Sequence, residues 1–227
     1  MEYPSVESLR NVLKNKTNGY EYVRKLTESI ELNKEFNDPI LTLLMNQHPD
    51  QEKVKDLLYC VFRIHPTYRQ RTLYIKTKNK DEDTVSWKTC VESILGKYDA
   101  VKSHVAAVKS AFRLATFDDF HKKFFLENTT EDSATCAHCK KYCYAKHLGK
   151  TPTIHIDHYL TSFQTIIESF LSHKSLSLSA ISVKYVGLES HIENEALKKE
   201  WIEWHNRLVT YRILCSDCNT SFGSNSR

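Results

Sequence analysis

Two C-x-x-C pairs constrain this chain more than anything else in it. Cys136-Ala137-His138-Cys139 is the first and Cys215-Ser216-Asp217-Cys218 the second. Thiolates at i and i+3 of a tight turn can reach one metal ion, and two such turns complete a closed tetrahedral site of the kind zinc takes. Thiolate donors favour zinc over magnesium or calcium. Residues 140–214 separate the pairs, too many for a simple finger, so a folded segment is inserted between them. The competing reading is a set of buried free thiols or one redox-active pair. Cys143, His138 and His147 lie close to the first pair and are spare ligand candidates. A thiol–disulfide enzyme would need a low-pKa cysteine at a helix start in a thioredoxin-like context, and the sequence offers none.

The chain holds seven cysteines. An odd count with uneven clustering argues against a secreted disulfide scaffold. The start, Met1-Glu2-Tyr3-Pro4, has neither a basic nor an apolar signal region. An intracellular setting, cytoplasmic or nuclear, is therefore expected. No apolar run approaches the ~20 residues that cross a bilayer, so no membrane partner is expected. Hydrophobic residues make up 41 % of the 227 positions and charged ones 26 %, while Gly and Pro number five each. That composition fits a folded, largely helical protein. The net charge of +4 is too small to indicate nucleic-acid binding by itself.

Periodicity predicts helices over Val6–Leu13 and Tyr20–Leu32, a third starting at Pro39, and a fourth capped by Asp50 and running through Val54, Leu57, Leu58 and Val61, with Pro66 closing that element. Arg71–Lys76 alternates as a strand, with Leu73 and Ile75 on one face. Asn79–Asp83 reads as a charged turn, and Ser86 caps a helix carrying Trp87, Cys90, Val91 and Ile94. Two helices follow at 99–112 and 117–127, the first with the stripe Val101, Val105, Val108 and Phe112. The polar stretch Asn128–Ala134 sets a domain boundary near 130, giving domains at 1–130 and 131–227. In the second, a strand is expected at 153–157, a helix at 162–172, a strand at 181–186 and a long helix at about 190–206.

Between the cysteine pairs lies Thr153-Ile154-His155-Ile156-Asp157-His158. Alternation puts His155 and Asp157 on one face of a strand, with His158 following as the strand ends. A carboxylate can hold a hard divalent ion and a histidine can take a proton from water. Asn219 directly follows the second cysteine pair.

The order C-x-x-C (136–139), H-x-D-H (155–158), L-C-x-x-C-N (214–219) resembles the HNH, or His-Me finger, endonuclease family. It is similar to the zinc-stabilised branch typified by phage T4 endonuclease VII, a junction resolvase. The resemblance implies an α+β fold, mainly helical here, whose C-terminal ββα-metal unit is stapled by a four-cysteine zinc site of Cys136, Cys139, Cys215 and Cys218. It implies a DNA endonuclease that hydrolyses phosphodiester bonds. His158 would be the general base, Asp157 and Asn219 the ligands of a catalytic Mg²⁺ or Mn²⁺, and His155 an orienting or phosphate-contacting group. The partner would be double-stranded or structured DNA, and a resolvase or palindrome cutter would act as a symmetric homodimer. Two departures stand out. The loop Asn usual before the third cysteine is Thr210 here, with His205-Asn206 as the candidate substitute. The span from His158 to Cys215 also carries an insertion at about 160–208.

The alternative is a non-catalytic zinc-containing module that binds nucleic acid or protein, which would use the cysteines without needing Asp157, His158 and Asn219 together. Lys140, Lys141, Lys146, His147 and Lys150, interleaved with Tyr142 and Tyr144, form either a DNA-backbone surface or an ordinary solvated face. Trp201 and Trp204 are read as core, with base stacking as the competing role. In the N-terminal part, His65-Pro66 before a strand and Val85-Ser86-Trp87-Lys88-Thr89-Cys90 resemble the DCL (defective chloroplasts and leaves) family. That family's link to organellar RNA processing implies a recognition or positioning domain. The resemblance assigns it no catalytic residue.

Overall fold

A computed structural model describes residues 5–65, 71–187 and 189–225. Residues 1–4 and Pro66 therefore lie outside the described residues. The chain forms two compact units, Met1–Ser103 and His104–Arg227. Helices dominate, and the sheets are small and antiparallel.

The first unit opens with α1 (Val6–Leu13) and α2 (Lys16–Glu28), capped by the side chains of Ser5 and Asn15. Strand β1 (Glu35–Phe36) follows, then α3 (Pro39–Met45), whose first turn is fixed by Asp38 accepting from the Ile40 and Leu41 amides. The one-turn α4 (Gln51–Val54), β2 (Leu57–Ile64), β3 (Arg71–Thr77), β4 (Lys80–Thr84) and α5 (Trp87–Ile94) complete it. The strands form one sheet in the order β1-β2-β3-β4. Leu9, Leu13, Leu41, Leu44, Phe62, Leu73, Ile75, Cys90, Val91 and Ile94 fill the core between helices and sheet. Gly19 lets α2 approach α5 closely, since a Cβ there would sit 2.7 Å from Val91 Cγ1.

Two expectations fail here for physical reasons. Asp50 does cap a helix, but the helix ends at Val54 and residues 57–64 are a strand. The apolar spacing at 54, 57, 58 and 61 suits a helix, yet Tyr59-Cys60-Val61-Phe62 is aromatic and β-branched and puts Cys60 and Phe62 into the core. The charged stretch expected as a turn is mostly strand β4. It is an edge strand, where charge is tolerated, and its carboxylates pair with Lys76, Arg63 and Lys53.

The second unit contains most of α6 (Ala100–Thr116), a π-helical turn at Phe117–His121, and α7 (Lys122–Asn128). Strands β5 (Ser133–Thr135) and β6 (Tyr142–Tyr144) form a hairpin. Strand β7 (Ile154–Tyr159), α8 (Phe163–Lys174), the hairpin β8 (Val183–Val186) and β9 (Glu189–Ile192), α9 (Glu195–Leu208), β10 (Thr210–Cys215) and α10 (Ser216–Asn225) follow. The boundary lies at 103/104 rather than near 130. The reason is packing: Val108, Ala111 and Phe112 of α6 share a core with Ile166, Ile167 and Phe170 of α8 and Trp201 of α9. Val101, expected in that stripe, is 68 % exposed. The long helix starts at Glu195, capped by Asn194, because residues 189–192 turn back as β9.

Trp201 is fully buried, donates its indole N–H to the Phe112 carbonyl at 2.9 Å and meets the Phe112 ring at 4.6 Å. Trp204 packs against the same core and bonds Ser169. Core packing is thus the role of both. Trp201→Ala is expected to destabilise this unit by about 3–5 kcal/mol, measurable as a lower urea midpoint of its unfolding.

Candidate metal centre and histidine site

Strands β7 and β10 pair antiparallel over six positions, from Ile154 opposite Cys215 to Tyr159 opposite Thr210, and α10 follows β10 without a break. The segment from α8 to α9 is inserted between the two strands. The β5–β6 turn joins this hairpin through Ala137 N–H to the Ile213 carbonyl at 2.8 Å, and Ser216 N–H bonds the Thr153 carbonyl at 2.9 Å.

These contacts bring both C-x-x-C pairs to one point. The ligand atoms of Cys136, Cys139, Cys215 and Cys218 all lie within 4.8 Å of one another. A tetrahedral ion with bonds of ~2.3 Å to sulfur needs sulfurs ~3.8 Å apart, and Cys139 Sγ and Cys215 Sγ are 3.7 Å apart. All four thiols are free, so the cluster is not a disulfide. It could hold a structural metal such as zinc. Burial opposes ionisation of Cys136, but backbone groups of Cys139, Cys215 and His138 stabilise its thiolate and bring it down to about 6. Cys143 is not a fifth member: it bonds the Ala134 carbonyl at 3.3 Å, and burial, followed by the neighbouring thiolates, pushes it up to about 11. His138 packs edge-on against Phe222. The His147 side chain lies outside the described residues.

The remaining candidates divide between the two faces of β7. Because the strand runs to Tyr159, past the expected end at 157, His158 does not share a face with Asp157. His155 and Asp157 face α10. Asn219 of α10 lies with its Nδ2 3.4 Å from His155 Nδ1, and Thr153 Oγ1 is 3.3 Å from His155 Nε2. Asp157 Oδ2 accepts from Arg212 Nε at 2.8 Å and pairs with Nη2 at 2.7 Å. The Arg212 guanidinium also lies 4.7 Å from each of the Tyr159 and Phe222 ring centres.

His158 lies on the opposite face among rings: Phe163, His205 and Tyr211 surround it at 5.1–5.4 Å between centroids. His121 and Phe124 reach the same Tyr211. His158 Nε2 is 3.1 Å from Nε2 of the fully buried His205, and His205 Nδ1 is 3.2 Å from Asn206 Oδ1. Burial, then the charges of His205, His121 and Arg113 against the opposing pull of Asp157, lowers His158 to about 4, so its imidazole is neutral at pH 7. Thr210 takes no part in this cluster and pairs with Tyr159 at the end of the hairpin.

Sequence reading missed Arg212. The signal was present: in a strand over 210–215, Arg212 shares a face with Leu214 and lies opposite Asp157. Comparison of the chain with family models, with curated proteins and with solved structures gave no match. No helix among the described residues is long and apolar enough to cross a membrane.

Proposed function

We propose that the second unit is a metal-dependent DNA endonuclease of the His-Me finger kind, with Cys136, Cys139, Cys215 and Cys218 holding structural zinc. The observation that carries the reading is the joining of the β7–β10 hairpin and α10 at the cysteine cluster, which sets His155, Asp157 and Asn219 on one face. Asn219 Nδ2 turned toward His155 leaves the amide oxygen open. A carboxylate and an amide oxygen are the donors a hard ion takes. Mg²⁺ or Mn²⁺ held by Asp157 and Asn219 would supply Lewis-acid stabilisation of charge on the scissile phosphate and the leaving 3′ oxygen.

The protein's own groups do the rest. His158, neutral at pH 7, takes the proton of the attacking water. Arg212 holds Asp157 through Oδ2 alone and so fixes the carboxylate while leaving Oδ1 for an ion, and His155 orients Asn219. Asp157 and His158 leave opposite faces of β7, and the edge of β7 away from β10 borders both. The scissile phosphate is accordingly assigned to that edge. Lys140, Lys141, Lys146 and Lys150, with the exposed Tyr142, form the candidate backbone-contacting surface. The first unit is assigned recognition or positioning of the substrate, in line with its DCL-like segments.

Zinc-loaded protein incubated with Mn²⁺ or Mg²⁺ and plasmid, linear, single-stranded and four-way-junction DNA tests this reading. Asp157→Asn and Asn219→Ala should each cut at least about 100-fold more slowly, while zinc content and DNA binding stay at wild-type levels. Variants that cut like wild type would remove Asp157 and Asn219 from the site. If no substrate is cut, the non-catalytic zinc module is the better description.

A further inference from the structure

The buried end of the inserted segment supplies a partner for the histidine on β7. His205, near the C-terminal end of α9, has no solvent exposure, and its Nε2 sits 3.1 Å from His158 Nε2. Two facing imidazole nitrogens at that distance share one proton: one donates and the other accepts. The neighbour on the far side of His205 decides which. Asn206 Oδ1, 3.2 Å from His205 Nδ1, is an acceptor only, so His205 Nδ1 carries the proton and its Nε2 offers a lone pair. His158 must then donate from Nε2. His158 Nδ1 makes no hydrogen bond among the described residues.

We propose that His205, oriented by Asn206, is a positioning residue that holds His158 as the Nε2–H tautomer and leaves Nδ1 as its basic atom. The inference rests on the nuclease reading, in which His158 is the base. It adds that the insertion between β7 and β10 completes the catalytic site rather than only shaping substrate choice. Phe163 and Trp201 pack around His205 and hold the ring in place, at centroid distances of 6.3 and 5.4 Å. That aromatic wall also lets a leucine fill the position, so space-filling and hydrogen bonding can be separated.

The test compares full-length, zinc-loaded wild type with His205→Leu and His205→Gln. Leucine keeps the volume without an acceptor, whereas the glutamine side-chain oxygen can accept from His158. His205→Leu should lower kcat by about 10- to 100-fold, a part of the roughly 10²- to 10⁴-fold that a positioned general base contributes. KM should stay within about twofold, and His205→Gln should recover to within about fivefold of wild type. In two-bond ¹H–¹⁵N spectra of histidine-labelled protein, His158 should show the Nε2–H pattern in wild type and lose it in His205→Leu. A leucine variant as active as wild type, a glutamine variant no better than leucine, or an Nδ1–H pattern in wild type would each overturn the proposal. A wild type that cuts no DNA would overturn the nuclease reading instead, and the tautomer pattern reports on His205 whether or not DNA is cut.

Discussion

Replacing His158 by alanine is expected to slow DNA cleavage by about 10²- to 10⁴-fold, the range lost with a positioned general base. DNA affinity should stay within about twofold, and zinc content should not change. The separation follows from geometry. The cysteines gather at the Ile154–Cys215 end of the hairpin, whereas His158 lies four residues along β7 beside Tyr211. Among the described residues the hydrogen-bond and ring partners of His158 are His205, Phe163 and Tyr211, none of them a lysine of the surface after the first cysteine pair. Single-turnover cleavage alongside a gel-shift titration measures both quantities. Loss of binding together with cutting would make His158 a folding or binding residue. Cutting that survives would move the base elsewhere, with His155 the next group to test.

If the four cysteines hold zinc as proposed, its removal should have the largest structural effect. The core around the cysteines is small: Ala134, Cys136, Cys143, Ile213, Leu214 and Cys215, with Phe124, Ile154, Cys139 and Cys218 partly buried against it. Two of its strands, β5 and β6, have three residues each. Structural zinc contributes about 10–16 kcal/mol of apparent binding free energy in small zinc-dependent folds, comparable with the whole stability of a domain, about 5–15 kcal/mol. Chelation, or Cys218→Ser, is therefore expected to unfold the knuckle region and abolish cutting. Hydrogen exchange can read this locally. The amides of Ala137, Lys140 and Ser216, all hydrogen-bonded across the knuckle, should lose protection on chelation. The indole N–H of Trp201, in the separate core of α6, α8 and α9, should keep it. Protection at all of these sites in the zinc-free protein would show that the cluster has no structural role.

The cysteine cluster was legible because C-x-x-C is a local pattern with a local cause: a tight turn aims two sulfurs at one point whatever lies between the pairs. Caps were legible for the same reason, and Ser86, Asp50 and Pro39 all mark helix starts. What failed depended on partners distant in sequence. Residues 57–61 fit a helix as well as a strand, and pairing with β3 decided between them. The placement of α6 with the second unit depends on Phe112 meeting Trp201, which lies far along the chain. The division of Asp157 and His158 between two faces turned on where β7 ends, and pairing with Thr210 and Tyr211 carries the strand past the expected end. His205 stood out in the sequence only as the neighbour of Asn206, the candidate substitute for a missing loop asparagine. Its contact with His158 depends on how an inserted helix packs, which no local pattern encodes.

The most direct test of the central claim is the conversion of supercoiled plasmid and four-way-junction DNA by purified, zinc-replete wild-type protein, with and without added Mg²⁺ or Mn²⁺. The expected result is nicked, linear or resolved DNA only when the divalent ion is present, with 3′-hydroxyl ends left by breakage of the bond to the 3′ oxygen. Intact DNA under every condition, from protein whose zinc is bound and whose fold is confirmed by hydrogen exchange, would contradict it.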